Sequence, residues 1–560
     1  MPPTDPGIGT HTAEEENDMS TNEAQRPGAL LLLLSRTSIR SRGALLRMAL
    51  VVAVLTIGFV PAASASDGND TLRIMTFNIF YGGDEMNLQN RNWCYRPTGC
   101  QETFDQVLKT IEAADADVVG LQEPAMKTRT IAERLGWHYD ERMHVISRYP
   151  LVDPPGAEGL YTFIEVKPGE VAAIANTHLT ATPYGPHELR DGASAEEVLA
   201  IEESVRRPEV QAHVTELPTL AAADIPVFMT ADFNSPSHLD WTTETAAARD
   251  VVIPFEWPVS SALAAAGFRD SYRVVHPDPL AHPGFTWTSG GPESYADDVQ
   301  DRIDWILAAG PASAVASDVV GESGGPDVGI EVDPYPSDHR AVVSEFEIDA
   351  GGMPVLVAVD ARRVEVGDPL DVRFHGTAGR VALVRAGDDP GASPMASRST
   401  DGDTDGTLTF DTGALQPGAH EAVLLGAGGE ALARIPFWVV EPGATPTLQT
   451  TKSTYRVGEP IRVEWQDAYG MRLDWLSLTK PAKSDTAPGH DDCTTYPCSN
   501  QRYILYEYLD ARIAGSTTFD ADSRVGWGTW PLQPGNYEIR LMLDDHYRSA
   551  GSTAKFKVVR

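Results

Sequence analysis

One stretch decides the fold of the first half of this chain, and it reads Val227-Phe228-Met229-Thr230-Ala231-Asp232-Phe233-Asn234. An apolar, β-rich run is followed by two polar residues, Asp232 and Asn234, that are two positions apart. On an extended segment such residues face the same way. The pattern therefore predicts a buried strand whose carboxyl end presents a carboxylate and an amide side by side.

Five further patches put a polar side chain where an apolar run ends, and they read Thr76-Phe77-Asn78, Leu121-Gln122-Glu123, Asn176-Thr177-His178-Leu179, Arg302-Ile303-Asp304-Trp305 and Ser337-Asp338-His339. Each patch alone is weak evidence, since a single strand-end Asn, Glu or His more often has a structural or solvated role. Together they predict a site for a hard cation, which prefers oxygen ligands, beside two histidines. Such a set suits metal-assisted attack of water on a phosphoester.

Asp304 and His339 are predicted to form a pair. Asp304 lies inside the apolar run Ile303-Asp304-Trp305-Ile306, where an unpaired carboxylate is costly. His339 is its natural partner, and the pairing would orient the imidazole. Asp338, the neighbour of His339, is then predicted to face the metal.

The arrangement of elements predicts an α/β domain over residues 71–348. Apolar, β-rich runs alternate there with helical stretches. Residues 103–114 carry apolar side chains at helical spacing, residues 196–217 form a second helical candidate interrupted at Pro208, and a short helix is expected to close at Gly267.

Taken in order, the six patches resemble the motifs of the endonuclease/exonuclease/phosphatase superfamily. DNase I-like nucleases, inositol-phosphate phosphatases and neutral sphingomyelinases share this metal-dependent fold. The resemblance covers residues 71–348, about half of the chain, and Ala231 stands where the family usually has glycine. It implies a four-layered α/β sandwich of the DNase I type, with two central sheets flanked by helices and the site at one sheet edge.

The resemblance also implies roles for the site residues. Asn78, Glu123 and Asp338 would hold Mg²⁺, for which Mn²⁺ can substitute. Asp232 would orient the nucleophilic water, and His339, held by Asp304, would act as base or phosphate contact. His178 and Asn234 would stabilise the pentavalent phosphorane. The division of work between Asp232 and His339 stays open.

Residues 353–441 and 445–560 are predicted to be two all-β units related by an internal repeat. Val366-Gly367-Asp368-Pro369-Leu370 recurs as Val457-Gly458-Glu459-Pro460-Ile461, and Leu415-Gln416-Pro417-Gly418 recurs as Leu532-Gln533-Pro534-Gly535. Short strands with Gly/Pro turns indicate immunoglobulin-like β-sandwiches. These units would bind a surface polymer or act as a spacer, and we favour the spacer because no basic or aromatic stripe is evident.

Residues 1–65 are predicted to be a leader with a secretory signal. Four arginines (Arg36, Arg40, Arg42 and Arg47) precede an apolar run at 48–60, and Ala63-Ser64-Ala65 offers a cleavage site. A retained membrane anchor is the alternative, although the run is short for a bilayer span. We expect a secreted protein with no integral membrane span in the mature chain. Two local disulfides, Cys94 with Cys100 and Cys493 with Cys498, fit export.

The charge of the chain bears on its partners. The net charge of −36 disfavours long polyanions unless a metal or a basic patch intervenes. The expected partner is therefore a phosphoester substrate, with a small or lipid phosphoester weakly preferred and nucleic acid kept open. The alternatives are an extracellular DNase I-like endonuclease and a non-catalytic surface-binding protein that acts through its β domains.

Overall fold

The computed structural model describes residues 70–96, 98–292, 294, 297–391, 394–481 and 503–560. The predicted leader, residues 1–65, and the pair Cys493 and Cys498 lie outside these ranges. Cys94 and Cys100 form the predicted disulfide, with their Cα atoms 5.9 Å apart. Within the described ranges, no helix has the length and apolar character that a membrane crossing requires.

Two seven-stranded sheets form the centre of the α/β domain. In spatial order, the first contains Val328–Glu331, Ala312–Gly321, Ala341–Ile348, Asp70–Asn78, Val118–Gln122, Val145–Ser147 and His138–Asp140. The second contains, in spatial order, Arg269–Asp270, Asp304–Ala309, Val227–Asp232, Glu170–His178, Thr162–Lys167 and Leu151–Val152. Its seventh strand, Gly351–Gly352, also pairs with Glu170–His178 and lies outside this order. A separate hairpin joins Met86–Asn87 to Asn92–Trp93.

The sheets face each other, and helices cover their outer sides. Alternate side chains of the strand Asp70–Asn78 point to opposite faces. Leu72 and Ile74 pack with Ile174 and Phe228 of the second sheet. Met75 and Phe77 pack on the other side against the helices, which contribute Phe104, Val107, Ile111 and Ile131. This confirms the predicted DNase I-like α/β fold.

The helices agree with the sequence patterns, including the predicted interruption at Pro208. The predicted helix at 196–217 is divided there into Ala195–Ser204, a 3-10 turn Pro208–Val210, and Gln211–Ala221, because proline removes a helical hydrogen bond. The remaining helices are Gln101–Ala113, Thr128–Leu135, Gly185–Arg190, Thr243–Ala246, Pro258–Ala265 and Ser271–Val275, with a 3-10 turn at Tyr81–Gly83.

The strand register brings the polar strand ends to one edge of the domain. In the first sheet, Asn78 pairs with Gln122 on a parallel neighbour. In the second sheet, Asp232 pairs with His178 on one side and with Asp304 on the other. Four of these strands therefore end at this edge and the fifth begins there with Asp304, so their polar side chains converge.

A buried amide ties the two sheets together below this edge. The Asn176 side chain donates to the carbonyl of Leu121 (2.8 Å) in the first sheet and to that of Met143 (3.0 Å), in the turn before the strand Val145–Ser147. Its oxygen accepts hydrogen bonds from Gln122 Nε2 (2.7 Å) and Thr230 Oγ1 (2.9 Å). Gly120 allows this close approach, since a Cβ there would lie 2.0 Å from Thr230 Oγ1 and 2.5 Å from Asn176 Oδ1.

The rest of the chain is an all-β region with two groups of sheets. The first group has Leu356–Val359, Pro369–His375 and Asp405–Asp411 in one sheet, and Arg363–Glu365, Ala431–Val440, Gly418–Leu425, Arg380–Arg385 and Ala396–Ser399 in another. The second group has Thr447–Thr450, Ile461–Gln466 and Gly515–Phe519, and then Thr454–Arg456, Ser549–Val559, Gly535–Met542, Trp475–Thr479, Leu505–Tyr508 and Arg524–Val525.

The two β groups have the same strand order around the repeated sequences. The first repeated motif leads into the central strand of each three-stranded sheet, Pro369–His375 or Ile461–Gln466. The second leads into Gly418–Leu425 or Gly535–Met542. The all-β character is confirmed, whereas the immunoglobulin-like assignment and the boundaries 71–348, 353–441 and 445–560 stay predictions.

Replacing the bridging amide tests how the sheets are held together. We expect Asn176→Ala to lower the free energy of unfolding by about 2–4 kcal/mol, because several buried partners lose a hydrogen bond and each costs about 1–3 kcal/mol. Urea denaturation of the full chain measures the change. Asn536→Ala, at an exposed strand position, is the control and should change stability by less than about 0.5 kcal/mol. Equal stability of the two variants would contradict a structural role for Asn176.

Candidate active site and metal centre

Asp232 lies at the centre of the converging strand ends and is buried. Its Oδ2 accepts a hydrogen bond from Asn78 Nδ2 at 3.0 Å, and its Oδ1 accepts one from the backbone N–H of Asn234 at 2.9 Å. His178 Nε2 and His339 Nε2 lie 3.5 Å and 3.6 Å from the same Oδ2 atom. A single carboxylate therefore contacts four of the predicted site residues.

His339 and Asp304 form the predicted pair. His339 Nδ1 lies 2.9 Å from Asp304 Oδ2, and the backbone N–H of Asp304 donates to Thr286 Oγ1 at 3.1 Å. Trp287 flanks the imidazole, with ring centroids 4.9 Å apart. Burial opposes the charge on His339, but the carboxylates of Asp304 and Asp232 raise its pKa well above the ordinary value. The pairing fixes the orientation of the ring and directs Nε2 towards Asp232.

The three predicted metal ligands lie at the same edge. Asn78 Nδ2 donates to Glu123 Oε1 at 3.1 Å, and the backbone N–H of Tyr81 donates to Glu123 Oε2 at 2.9 Å. Asp338 is buried, and burial raises its pKa to about 7; His339 opposes this rise, while the charge of Glu123 adds to it. A bound divalent cation would stabilise both carboxylates, so the donor set fits a hard cation.

A second set of possible ligands overlaps the site. One ligand atom from each of Asp232, Asp304 and His339 lies within 4.8 Å of the others, and all three residues are buried. In this set Asp304 Oδ2 is already hydrogen-bonded to His339. Mg²⁺ prefers oxygen ligands and keeps several waters. The assignment of the metal to the oxygen donors Asn78, Glu123 and Asp338 stays a prediction.

One contact of the site comes from the second β group and is not indicated by any sequence pattern. His178 Nδ1 lies 2.6 Å from Asp545 Oδ2, across 367 positions of sequence. Burial opposes the charge on His178, yet the carboxylates of Asp545 and Asp232 raise its pKa to about 10. The other nitrogen, Nε2, lies 3.0 Å from Asn234 Nδ2. Asp545 therefore orients His178 as Asp304 orients His339.

A cavity of about 140 Å³ opens beside Glu123 and His178. Five of its lining residues are aromatic side chains of the second β group, here called the aromatic wall: Trp475, Tyr503, Tyr506, Tyr508 and Tyr547. The expectation that the β units lack an aromatic stripe is wrong for this surface. A larger cavity, of about 280 Å³, is lined by Leu263, Phe268 and Trp305 among others and contains none of the predicted site residues.

Comparison with known proteins places this site in a family. The model of the endonuclease/exonuclease/phosphatase family matches residues 75–339. An uncharacterized protein of Caenorhabditis elegans is 30% identical over 328 residues, which make up 53% of this chain and 97% of the relative. An endonuclease/exonuclease/phosphatase structure from Beutenbergia cavernae is 20% identical, with a TM-score of 0.31, over 66% of this chain and 99% of that one. An AP endonuclease from Archaeoglobus fulgidus is 15% identical, with a TM-score of 0.31, over 50% of this chain and 100% of that one.

The chain belongs to the endonuclease/exonuclease/phosphatase family. The family match ends at His339, the last residue of the sixth patch. Together with the buried Asp/His cluster at the sheet edge, this membership makes the protein a metal-dependent phosphoric ester hydrolase.

The contact between Asp545 and His178 predicts a measurable change in the histidine. Asp545→Asn removes the nearest negative charge, so the pKa of His178 should fall from about 10 towards its ordinary value. Histidine NMR signals followed through a pH titration measure this shift. Turnover should fall by about 10–100-fold, the usual effect of losing a partner that orients an active-site histidine. Asp510→Asn, at an exposed position of the same β group, is the control, and an unchanged His178 titration in Asp545→Asn would contradict the assignment.

Proposed function

We propose that this protein is a secreted, Mg²⁺-dependent phosphoesterase, with Mn²⁺ as a substitute metal, that hydrolyses a phosphodiester or a phosphomonoester by attack of water. The observation that carries the proposal is the position of Asp232, within 3.6 Å of His178 and His339 and hydrogen-bonded to Asn78. Export is proposed from the leader sequence and the cysteines alone.

In this proposal Asn78, Glu123 and Asp338 hold the metal. When bound, the metal stabilises the negative charge that develops on the phosphoryl oxygens. These three side chains offer one neutral and two anionic oxygens, a set that leaves room for water and substrate. The hydrogen bonds from Asn78 and Tyr81 orient the Glu123 carboxylate before the metal binds.

The remaining residues act on the water and the phosphoryl group. Asp232 orients the attacking water and is itself held by the backbone N–H of Asn234. His339, held by Asp304, serves as base or phosphate contact, and His178 and Asn234 stabilise the phosphorane. Positioning and electrostatic stabilisation account for most of the barrier reduction in phosphoryl chemistry, so a rigid set of hydrogen-bonded side chains suits this reaction.

We expect single substitutions at the centre to abolish most of the turnover. His339→Ala and Asp232→Asn should each lower kcat by roughly 10²–10⁴-fold, the usual range for acid–base catalysis. Hydrolysis of an activated phosphodiester with Mg²⁺ measures the effect, and circular dichroism checks the fold. His138→Ala and Asp250→Asn, both at exposed positions, are the matched controls. Near wild-type turnover in His339→Ala would mean that the site is misassigned.

The metal ligands predict a different kind of defect. Glu123→Gln removes an anionic ligand and should raise the Mg²⁺ concentration needed for half-maximal rate, while the rate at saturating Mg²⁺ falls less. EDTA should stop hydrolysis by the unchanged protein, and added Mg²⁺ should restore it. Glu133→Gln, at an exposed helix position, is the control for the titration. A Mg²⁺ requirement unchanged by Glu123→Gln would remove this residue from the proposed ligand set.

The net charge favours a small or lipid phosphoester over DNA or RNA. A chain with a net charge of −36 repels long polyanions, whereas a compact phosphoester presents few charges that a bound metal can offset. Plasmid DNA, RNA, sphingomyelin and inositol phosphates, compared at equal Mg²⁺ and low salt, test this preference. Efficient plasmid nicking without turnover of the other substrates would instead assign an extracellular nuclease.

A further inference from the structure

The aromatic wall is built by the strand register of the second β group. Trp475 pairs directly with Tyr508 on the neighbouring strand, and Tyr506 lies two positions from Tyr508, on the same face. Tyr503 and Tyr547 join these three from flanking segments. The wall borders the same cavity as Glu123 and His178. A substrate whose phosphate lies at the catalytic residues would therefore place its adjoining group against these rings.

Most neighbouring rings of the wall are set at steep angles to one another, while Tyr503 and Tyr547 are stacked at 28° with their centroids 6.5 Å apart. The centroid of Trp475 lies 5.0 Å from that of Tyr503 at 67°, 6.1 Å from that of Tyr506 at 82°, and 6.2 Å from that of Tyr547 at 85°. A platform that stacks a nucleobase presents a flat ring face. Rings at steep angles instead surround a compact group from several sides. Small-molecule sites usually enclose about 300–1,000 Å³, so the 140 Å³ cavity suits a small group.

The charges around the cavity favour a cation. Its described lining residues include the carboxylates of Glu123 and Asp545 and the imidazole of His178, which is paired with Asp545, but no lysine or arginine, so the carboxylates outnumber the one cationic side chain. Tyr508 Oη donates to Asp545 Oδ1 at 3.4 Å. The guanidinium of Arg524, which is not a lining residue, lies 5.2 Å from the ring centroid of Tyr508. One ring of the wall thus already contacts a cation through its π system.

The hydroxyls of Tyr506 and Tyr508 are also engaged within the protein. Tyr506 Oη lies 2.8 Å from Thr180 Oγ1, which donates to Glu209 Oε1 at 2.7 Å. Because these hydroxyls have protein partners, Tyr506 and Tyr508 offer a ligand mainly their π surfaces. An aromatic enclosure of this kind, close to carboxylates, recognises quaternary ammonium groups, which attract π faces but donate no hydrogen bonds.

We propose that the aromatic wall binds the quaternary ammonium group of a choline-type phosphodiester whose phosphate lies at Glu123 and His178. This inference rests on the proposed function and names its substrate class. Water forms the new bond to phosphorus, the P–O bond to the second alcohol breaks, and that alcohol leaves with a proton. The products are phosphocholine and the alcohol. The second β group is then a substrate-recognition module, and the same chemistry accommodates a lipid headgroup or a soluble choline phosphodiester.

A binding experiment tests the wall without any turnover. Calorimetry of the metal-free full chain should show choline binding at least about tenfold tighter than its uncharged isostere 3,3-dimethylbutanol. Trp475→Ala should remove this difference, and Tyr547→Ala, at a half-buried position, keeps the test valid if the first variant does not fold. Trp527→Ala is the matched control, because Trp527 is 78% exposed in the same β group. Equal binding of choline and the isostere would overturn the inference.

A kinetic experiment tests whether the wall selects substrate. The p-nitrophenyl ester of phosphocholine should have kcat/KM at least about tenfold above that of the 3,3-dimethylbutyl analogue, mostly through KM. Tyr547→Ala should bring the kcat/KM values of the two esters close to each other, whereas Trp527→Ala, outside the wall, should leave both values unchanged. Hydrolysis of both esters at equal kcat/KM would overturn the inference but leave the proposed function intact. If the protein binds choline but hydrolyses neither ester, the proposed function fails while the inferred choline site stands.

Two further experiments identify which kind of phosphodiester the wall recognises. Phosphatidylcholine vesicles and soluble glycerophosphocholine, compared at equal choline concentration, separate a lipid headgroup from a soluble ester, and turnover of either supports the inference. Thymidine 5′-p-nitrophenyl phosphate tests stacking of a nucleobase. If the thymidine ester is hydrolysed with a higher kcat/KM than the choline ester, and Trp475→Ala removes that preference, the wall binds nucleobases and the inference fails.

Discussion

The site depends on the register of three neighbouring strands in the second sheet. Asp232 pairs with His178 on one side and Asp304 on the other. A shift of one residue would turn each of these side chains to the opposite face. The apolar side chains between the sheets, such as Ile174 and Phe228, prevent that shift because they would lose their burial. The same hydrophobic core that holds the sheets together thus aligns the catalytic side chains.

A second constraint is the contact of one turn of the second β group with the α/β domain. His144 Nε2 lies 2.6 Å from Asp544 Oδ1, and both side chains are buried. The backbone N–H of Met126 donates to the other oxygen of Asp544 at 2.5 Å. Separating a buried pair of this kind leaves an uncompensated charge, which is strongly destabilising. Asp545, the next residue, is thereby held at His178. The same turn thus connects recognition of substrate by the aromatic wall to the orientation of a catalytic histidine.

Some features of the site follow from local sequence and others do not. Asp304 was predictable as a paired residue because a carboxylate in an apolar run needs a partner. Asp545 was not, because it is one of 80 acidic residues and follows another aspartate in a polar turn. The aromatic wall could not be predicted from the sequence either. Its members come from separate segments, and a Trp or Tyr in a short strand is by itself typical of a core position.

By itself, the sequence determined the α/β class, the strand ends that carry the site, and the two-part repeat of the β region, because alternation of apolar residues and turn motifs are local properties of the chain. Only the tertiary structure decided that the second β group lies against the active site. There it contributes Asp545, which contacts His178, and five aromatic rings that line the cavity. The physical reason is that this contact depends on shape and on paired charges between surfaces more than 300 positions apart in the chain. Neither the shape of these surfaces nor the pairing of their charges produces a periodic pattern in the sequence of the two segments.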